Sequence, residues 1–267
     1  MRKRTVFACF KIGVSAALAG LLLFLPVVVQ AQAGFKGIPV LLYHYVGAEA
    51  PDYPYLNVDT PEFSRQMKEL RERGYRSISL ADLTAYMRGE PVTLPEKPVL
   101  ITFDDGYEDN YTQAFPVLKQ EGFRAAIFMV QSNFNRKNRL SVQQIQEMEK
   151  AGIEIGSHTR SHPNLTKLAA TELEKEVAQS RRGVERLAGQ SIDYFAYPGG
   201  FYNAEVTRKT EQSGYAGAFT VLPGVNRPDK DNPYLLRRIP VFSYTDFDAI
   251  LNQLESTEDA SLLDYLD

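Results

Sequence analysis

Apolar and polar positions along the chain fall into strand-length runs separated by helix-length amphipathic stretches. Val99-Leu100-Ile101-Thr102-Phe103 is an apolar, β-rich run that ends in Asp104-Asp105-Gly106. Such a run reads as a strand buried on both faces of a parallel sheet. Gly37 to Tyr45 predicts an earlier strand, with Pro39 near its start, where a missing N–H is tolerated. Thr60-Pro61-Glu62 predicts an N-cap and an N1 proline opening a helix, and Phe63, Met67 and Leu70 give it one apolar face before Gly74 stops it. A short strand over Tyr75 to Leu80, a turn or two of helix over Ala81 to Arg88 and a link through Pro91, Pro95 and Pro98 lead into the central run.

Beyond that run the same unit recurs. Helices are predicted over Asn110 to Gln120, Val142 to Lys150 and Ala204 to Gln212, each followed within two residues by a glycine, and strands over Ala125 to Val130, Ile153 to Gly156, Tyr194 to Tyr197 and Gly217 to Val221. Leu173, Val177, Val184 and Leu187 mark the clearest amphipathic helix. Leu235 to Val241 predicts a last strand and Thr245 to Leu254 a last helix. Seven or eight strands alternating with helices, without sequence repeats, predict a parallel α/β fold, and the length favours a closed or partly closed (β/α) barrel in a single domain over an open doubly wound sheet.

The amino terminus changes the domain count. Arg2, Lys3 and Arg4 precede a mostly apolar core from Ile12 to Val29 and a small-x-small site at Ala31-Gln32-Ala33, which predicts a signal peptide over 1–33 and one domain over 34–267. An uncleaved anchor is the alternative, since the apolar core approaches spanning length. The expected product is exported, periplasmic or extracellular, monomeric and not inserted in a membrane once the signal is removed. The single cysteine, Cys9, lies inside that signal, so the mature chain has no disulfide and must rely on its core, which 44% hydrophobic residues permit. A net charge of -3, more negative once the signal's basic residues are removed, argues against nucleic acid as a partner.

The candidate chemistry gathers at strand ends, where ligands of parallel α/β sheets bind. Asp104 and Asp105 repel one another, so a fold that keeps both gives them different partners; a D-G turn is the plainer reading of the same residues. The chain has three histidines, His44, His158 and His162, and all three follow predicted strands. His158 and His162, four apart, have metal-ligand spacing. Two imidazoles and one carboxylate suit one divalent ion with open positions, zinc first, with cobalt, nickel or iron also compatible. The second carboxylate is then free to act as a base, which points to hydrolysis. An iron oxygenase shares these ligand types, although its usual H-x-D spacing is absent.

Thr102-Phe103-Asp104-Asp105-Gly106 together with His158-Thr159-Arg160-Ser161-His162 resembles the polysaccharide deacetylases of carbohydrate esterase family 4, and the likeness runs from about Ile38 to Val241. The resemblance implies a distorted (β/α) barrel, Asp104 as general base, and Asp105, His158 and His162 as metal ligands. Phe195-Ala196-Tyr197-Pro198-Gly199-Gly200 resembles that family's third motif, with Ala196 where most members carry an arginine that pairs with the catalytic aspartate. Arg237 and Arg238 are the candidates to replace that charge, against the plainer expectation that both are exposed. The Gly199 N–H is the candidate oxyanion donor. No histidine follows His162, so the late Leu-x-His acid of most members is missing and His44 is its candidate replacement, because a closed barrel brings first and last strands together. Leu42-Tyr43-His44-Tyr45-Val46 and the arginine-less third motif resemble the biofilm-type poly-β-1,6-N-acetylglucosamine deacetylases. The implied partner is an N-acetylglucosamine-containing polysaccharide, with Tyr43, Tyr45, Tyr197 and Pro198, beside Tyr53 and Tyr55, as candidate sugar contacts. Peptidoglycan, chitin-like chains and a decayed binding module remain open alternatives.

Overall fold

The computed structural model describes residues 37–47, 53–228 and 230–256; the expected signal peptide lies outside them. Seven parallel strands build the frame: β1 (Ile38–Tyr43), β2 (Lys97–Asp104), β3 (Ala126–Met129), β4 (Glu154–Ser157), β5 (Tyr194–Ala196), β6 (Gly217–Phe219) and β7 (Ile239–Pro240). They pair in the order β1-β2-β3-β4-β5-β6, and β7 returns to pair with β1. A bridge between Phe219 and Leu236 joins the approach to β7 onto β6, so the sheet curls round until its first and last strands are neighbours. The expected distorted barrel in one domain is the fold observed. No helix among the described residues is long and apolar enough to cross a membrane.

Helices α1 (Thr60–Glu72), α2 (Leu80–Met87), α3 (Phe115–Glu121), α4 (Val142–Lys150), α5 (Ser180–Ala188), α6 (Ala204–Gln212) and α7 (Phe247–Glu255) complete the frame. α4 and α6 have the bounds predicted from the apolar period. The cap of α1 is Asp59, whose carboxylate accepts the Glu62 N–H, and not Thr60, which forms the first helical residue. Leu80 opens α2 behind a Ser79 capping box, which shortens the preceding strand to Tyr75–Ser77. The last predicted strand shrinks most, to two residues, because the chain turns between its contact with β6 at Leu236 and its contact with β1 at Ile239.

The period-two alternation of each strand decides what reaches the barrel interior. Val40, Leu100, Ala126, Phe128, Ala196 and Phe219 point inward, and Leu80, Leu83 and Met87 of α2 pack with them. Leu41, Tyr43, Val99, Ile101, Phe103, Ile127, Phe195 and Tyr197 point outward, under the helices. Register pairs Leu42 with Thr102 and Tyr43 with Phe103, which brings His44 level with Asp104 at the carboxyl ends. α2 closes the opposite end, where the Leu80 N–H donates to Glu154 at the start of β4.

Candidate active site

Asp104 is the last residue of β2 and faces inward, 2% exposed. Both its oxygens are taken by Arg238: Nη1 donates to Oδ1 and Nη2 to Oδ2, each at 2.7 Å, across 134 positions of sequence. Arg238 is fully buried; its Nε donates to the Thr220 carbonyl at 2.7 Å, and its guanidinium lies 5.6 Å from the Phe128 ring centroid. Arg238 is therefore not the exposed residue expected, and it stands where the charge of the missing third-motif arginine is needed. Arg237 faces the other way, donating to Asp231 at 3.1 Å and to the Pro223 carbonyl, so it has no part in holding Asp104. Burial pushes the Asp104 carboxyl up, but Arg238, followed by His158, outweighs it and holds the group well below the usual carboxylate range.

Asp105 turns away from its neighbour. Its φ of 72° lies in the left-handed region, Gly106 follows at 68°, and a Cβ on Gly106 would collide with Met129. The D-G turn and the functional reading thus describe one structure. Its Oδ1 lies 3.5 Å from His162 Nε2 and 3.9 Å from His158 Nε2. Asp105, His158 and His162 each offer a ligand atom within 4.8 Å of the others, close to the spacing of donors around a divalent ion with ligand bonds of roughly 2.0–2.2 Å. His158 Nδ1 donates to the Ala196 carbonyl at 2.8 Å, which leaves the Nε2 lone pair facing the cluster. Burial also lowers the His158 pKa, so the ring stays neutral as a ligand must. The donor set, the tautomer and the spacing all fit a divalent ion.

The second arm of the cluster is held in strain. Thr159 and His162 have φ of 71° and 63°, so three of the five non-glycine residues with positive φ among the described residues lie at this site. Each such residue costs on the order of 1–3 kcal/mol and persists only where surrounding bonds impose it. Glu176 imposes it here: its carboxylate accepts the Arg160 and Ser161 N–H groups at 3.0 and 2.9 Å and the Ser161 hydroxyl at 2.7 Å. Thr159 Oγ1 then accepts the His162 N–H. Glu176 reaches inward from a π-helical turn, Lys175–Gln179, inserted in the amphipathic helix that runs from Ala170 to Ala188. Sequence reasoning missed it, because one glutamate in a charged helix carries no local signal.

His44 joins the same cluster. Burial lowers its pKa, Asp104 and Asp105 oppose that shift, and Arg238 and His158 reinforce it. The backbone there is tied down by Asn110 Nδ2, which donates to the His44 carbonyl at 2.8 Å. Gly199 lies just beyond β5, in a tight turn with φ of 57°, and the neighbouring Gly200 N–H closes that turn onto the Tyr197 carbonyl.

The proposed sugar contacts fare worse. Tyr43 and Tyr197 are fully buried on the outer, helix-facing side of their strands and donate to Gln66 and to the Tyr234 carbonyl. The alternation that sends His44 inward sends these two rings outward, so neither can stack on a sugar. Tyr45 is also buried, stacked on Tyr107, and Pro198 is buried in its turn. Tyr53 and Tyr55 are exposed.

A family model described as polysaccharide deacetylase matches residues 92–218. The chain is 36% identical over 204 residues to YxkH of Bacillus subtilis, which carries a provisional polysaccharide deacetylase name, covering 76% of this chain and 71% of that one. It is 28% identical over 199 residues to the poly-beta-1,6-N-acetyl-D-glucosamine N-deacetylase of Staphylococcus epidermidis, covering 69% of this chain and 68% of the relative. The solved structure of IcaB from Ammonifex degensii superposes with a TM-score of 0.73 at 28% identity, over 82% of this chain and 97% of IcaB. With a barrel whose carboxyl end gathers the two aspartates and all three histidines, and with relatives of this extent, the chain belongs to the polysaccharide deacetylase family.

Proposed function

We propose that the protein is an exported, metal-dependent N-deacetylase of an N-acetylglucosamine polymer, with poly-β-1,6-N-acetylglucosamine as its first substrate and acetate as product. The observation that carries this reading is the division of labour between adjacent carboxylates: Asp104 is clasped by Arg238 outside the ligand trio, and Asp105 lies inside it. A divalent ion held by Asp105, His158 and His162 would supply Lewis acidity to the acetyl carbonyl and raise the acidity of water to the point where a base as weak as Asp104 can deprotonate it. Zinc is the first choice for that donor set.

Asp104 takes one proton of water as the oxygen bonds to the acetyl carbon. The Gly199 N–H donates to the oxyanion that forms. The carbon–nitrogen bond then breaks as protonated His44 gives its proton to the departing amine, which could not leave as an amide anion. The lowered pKa of His44 makes it a stronger acid once charged. Exchange with solvent returns the proton from Asp104 to His44 before the next turnover. The likeness to the Staphylococcus epidermidis relative supports the polymer, and the basic, apolar amino terminus supports export.

The test is acetate release from β-1,6-linked N-acetylglucosamine oligomers, beside chitin oligomers, by zinc-loaded and metal-stripped protein. Release is expected only with metal, and faster on the β-1,6 linkage. Asp104→Asn should retain zinc and lose roughly 10²–10⁴-fold in rate, the usual weight of a positioned base. His44→Ala should slow amide hydrolysis more than hydrolysis of an activated acetate ester, whose leaving group needs no proton. Metal-independent release, or equal losses on both substrates, would overturn the respective assignments.

A further inference from the structure

Tyr107 follows the aspartate turn by two residues, and its hydroxyl donates to Asp105 Oδ2 at 3.1 Å. The other carboxylate oxygen, Oδ1, is the one that lies nearest both histidines. The Tyr107 ring is clamped on both faces. Tyr45 stacks on one side with ring centroids 3.6 Å apart, and the Arg139 guanidinium covers the other at 3.9 Å. Arg139 Nη1 and Asn133 Nδ2 also donate to the Asp105 carbonyl, each at 3.3 Å. Because a carboxylate can only accept, Tyr107 spends its proton on Asp105. A bridge between Tyr107 and Arg139 and the Leu140 N–H on the Gly106 carbonyl fasten the whole turn to the segment 138–140.

We infer that Tyr107 is a positioning residue: it occupies one oxygen of Asp105 so that the carboxylate presents a single oxygen to the ion, with Tyr45 and Arg139 holding the phenol in place. This rests on Asp105 serving as a metal ligand. A carboxylate so restrained binds through one atom and keeps coordination positions open, whereas an unrestrained one is free to chelate through both. Partners of this kind typically change metal affinity by about 10–100-fold when removed. Tyr45 thereby gains a role in place of the sugar contact that burial denies it.

The experiment compares wild type, Tyr107→Phe and Arg139→Gln by zinc competition against a chromophoric chelator, with thermal unfolding of each metal-free chain. Tyr107→Phe keeps the ring and both stacking partners. Its zinc affinity should fall about 10–100-fold, with the metal-free midpoint moved by no more than a few degrees. Arg139→Gln should weaken zinc by a smaller factor, because the phenol bond survives. Deacetylation by Tyr107→Phe should recover at saturating zinc. Affinity within twofold of wild type would overturn the inference, as would a rate that stays lost at saturating zinc, which would place Tyr107 on the substrate. Zinc binding without any deacetylation by wild type would sink the proposed function and leave this comparison intact; a wild type that binds no zinc would sink both.

Discussion

Two adjacent aspartates at the end of β2 belong to opposite regions of the site. On the inner side, Asp104, Arg238 and His158 are almost wholly buried, and Asp104 answers to a guanidinium delivered from the far end of the sheet. On the rim, Asp105 and His162 have side chains 15% and 41% exposed; Asp105 is held by a phenol and a loop arginine, and the turn that carries His162 is anchored by a glutamate on a π-helical turn. The inner region is held by charge pairing in a buried interior. The rim is held by hydrogen bonds that force residues into left-handed conformations. One stretch of sequence thus gives two adjacent carboxylates separate partners, as the repulsion between like charges so close requires.

The comparison breaks most readily at Arg238. Arg238→Met leaves Asp104 buried and unpaired, which should cost about 3–5 kcal/mol and lower the unfolding midpoint by roughly 10 °C in a domain of this size. Adding Asp104→Asn should restore part of that loss, since the stranded charge is then gone; a double-mutant cycle in urea measures the coupling. A loss under about 1 kcal/mol in the single variant would mean the pair does not hold the inner region.

Glu176→Ala attacks the rim and spares the inner pair. Two part-buried N–H groups and a hydroxyl lose a charged acceptor, a penalty of roughly 1–3 kcal/mol, and the strained turn at Thr159 and His162 loses its anchor. Zinc affinity should drop by at least about tenfold while Asp104 and Arg238 stay paired. Calorimetric zinc titration checks the first outcome; equal affinity would show that the turn stands without Glu176.

The smallest effect sharpens the contrast through pH. Burial pushes the Asp109 carboxyl up to about 7, against the opposing pull of the Val46 N–H and Arg139. A raised carboxyl binds a proton in the folded chain that the unfolded chain has released. Its penalty is therefore absent below about pH 4, grows between about 4 and 7, and is complete above that. Asp109→Asn should raise the unfolding midpoint by a few degrees at pH 8 and leave it unchanged at pH 4. Thermal scans at both values decide it, and an equal shift at both would rule out titration as the cause.

Local rules carried the sequence a long way and stopped at contacts between distant segments. Periodicity and capping located α4 and α6 to the residue, and the mutual repulsion of Asp104 and Asp105 implied that they would take different partners. Ligand spacing marked His158 and His162, because four residues across a turn is a local geometry. The same rules misjudged Tyr43 and Tyr197: each lies within a motif at a strand end, but one step along a strand reverses the face. They could not choose between Arg237 and Arg238 either, since the direction of each side chain depends on how the segment between Leu236 and Ile239 crosses from β6 to β1.

What the sequence determined by itself was the alternating α/β pattern and the short motifs that put two aspartates and two histidines at strand ends. Only the tertiary structure decided their partners. Arg238 on Asp104, Glu176 under the His162 turn and Tyr107 with Arg139 on Asp105 need closure of the sheet, a π-helical turn and a clamped loop in turn. The physical reason is one of range: helix and strand periods are set by neighbours a few residues apart, whereas a buried charge takes whichever counter-charge the closed barrel brings within bonding distance.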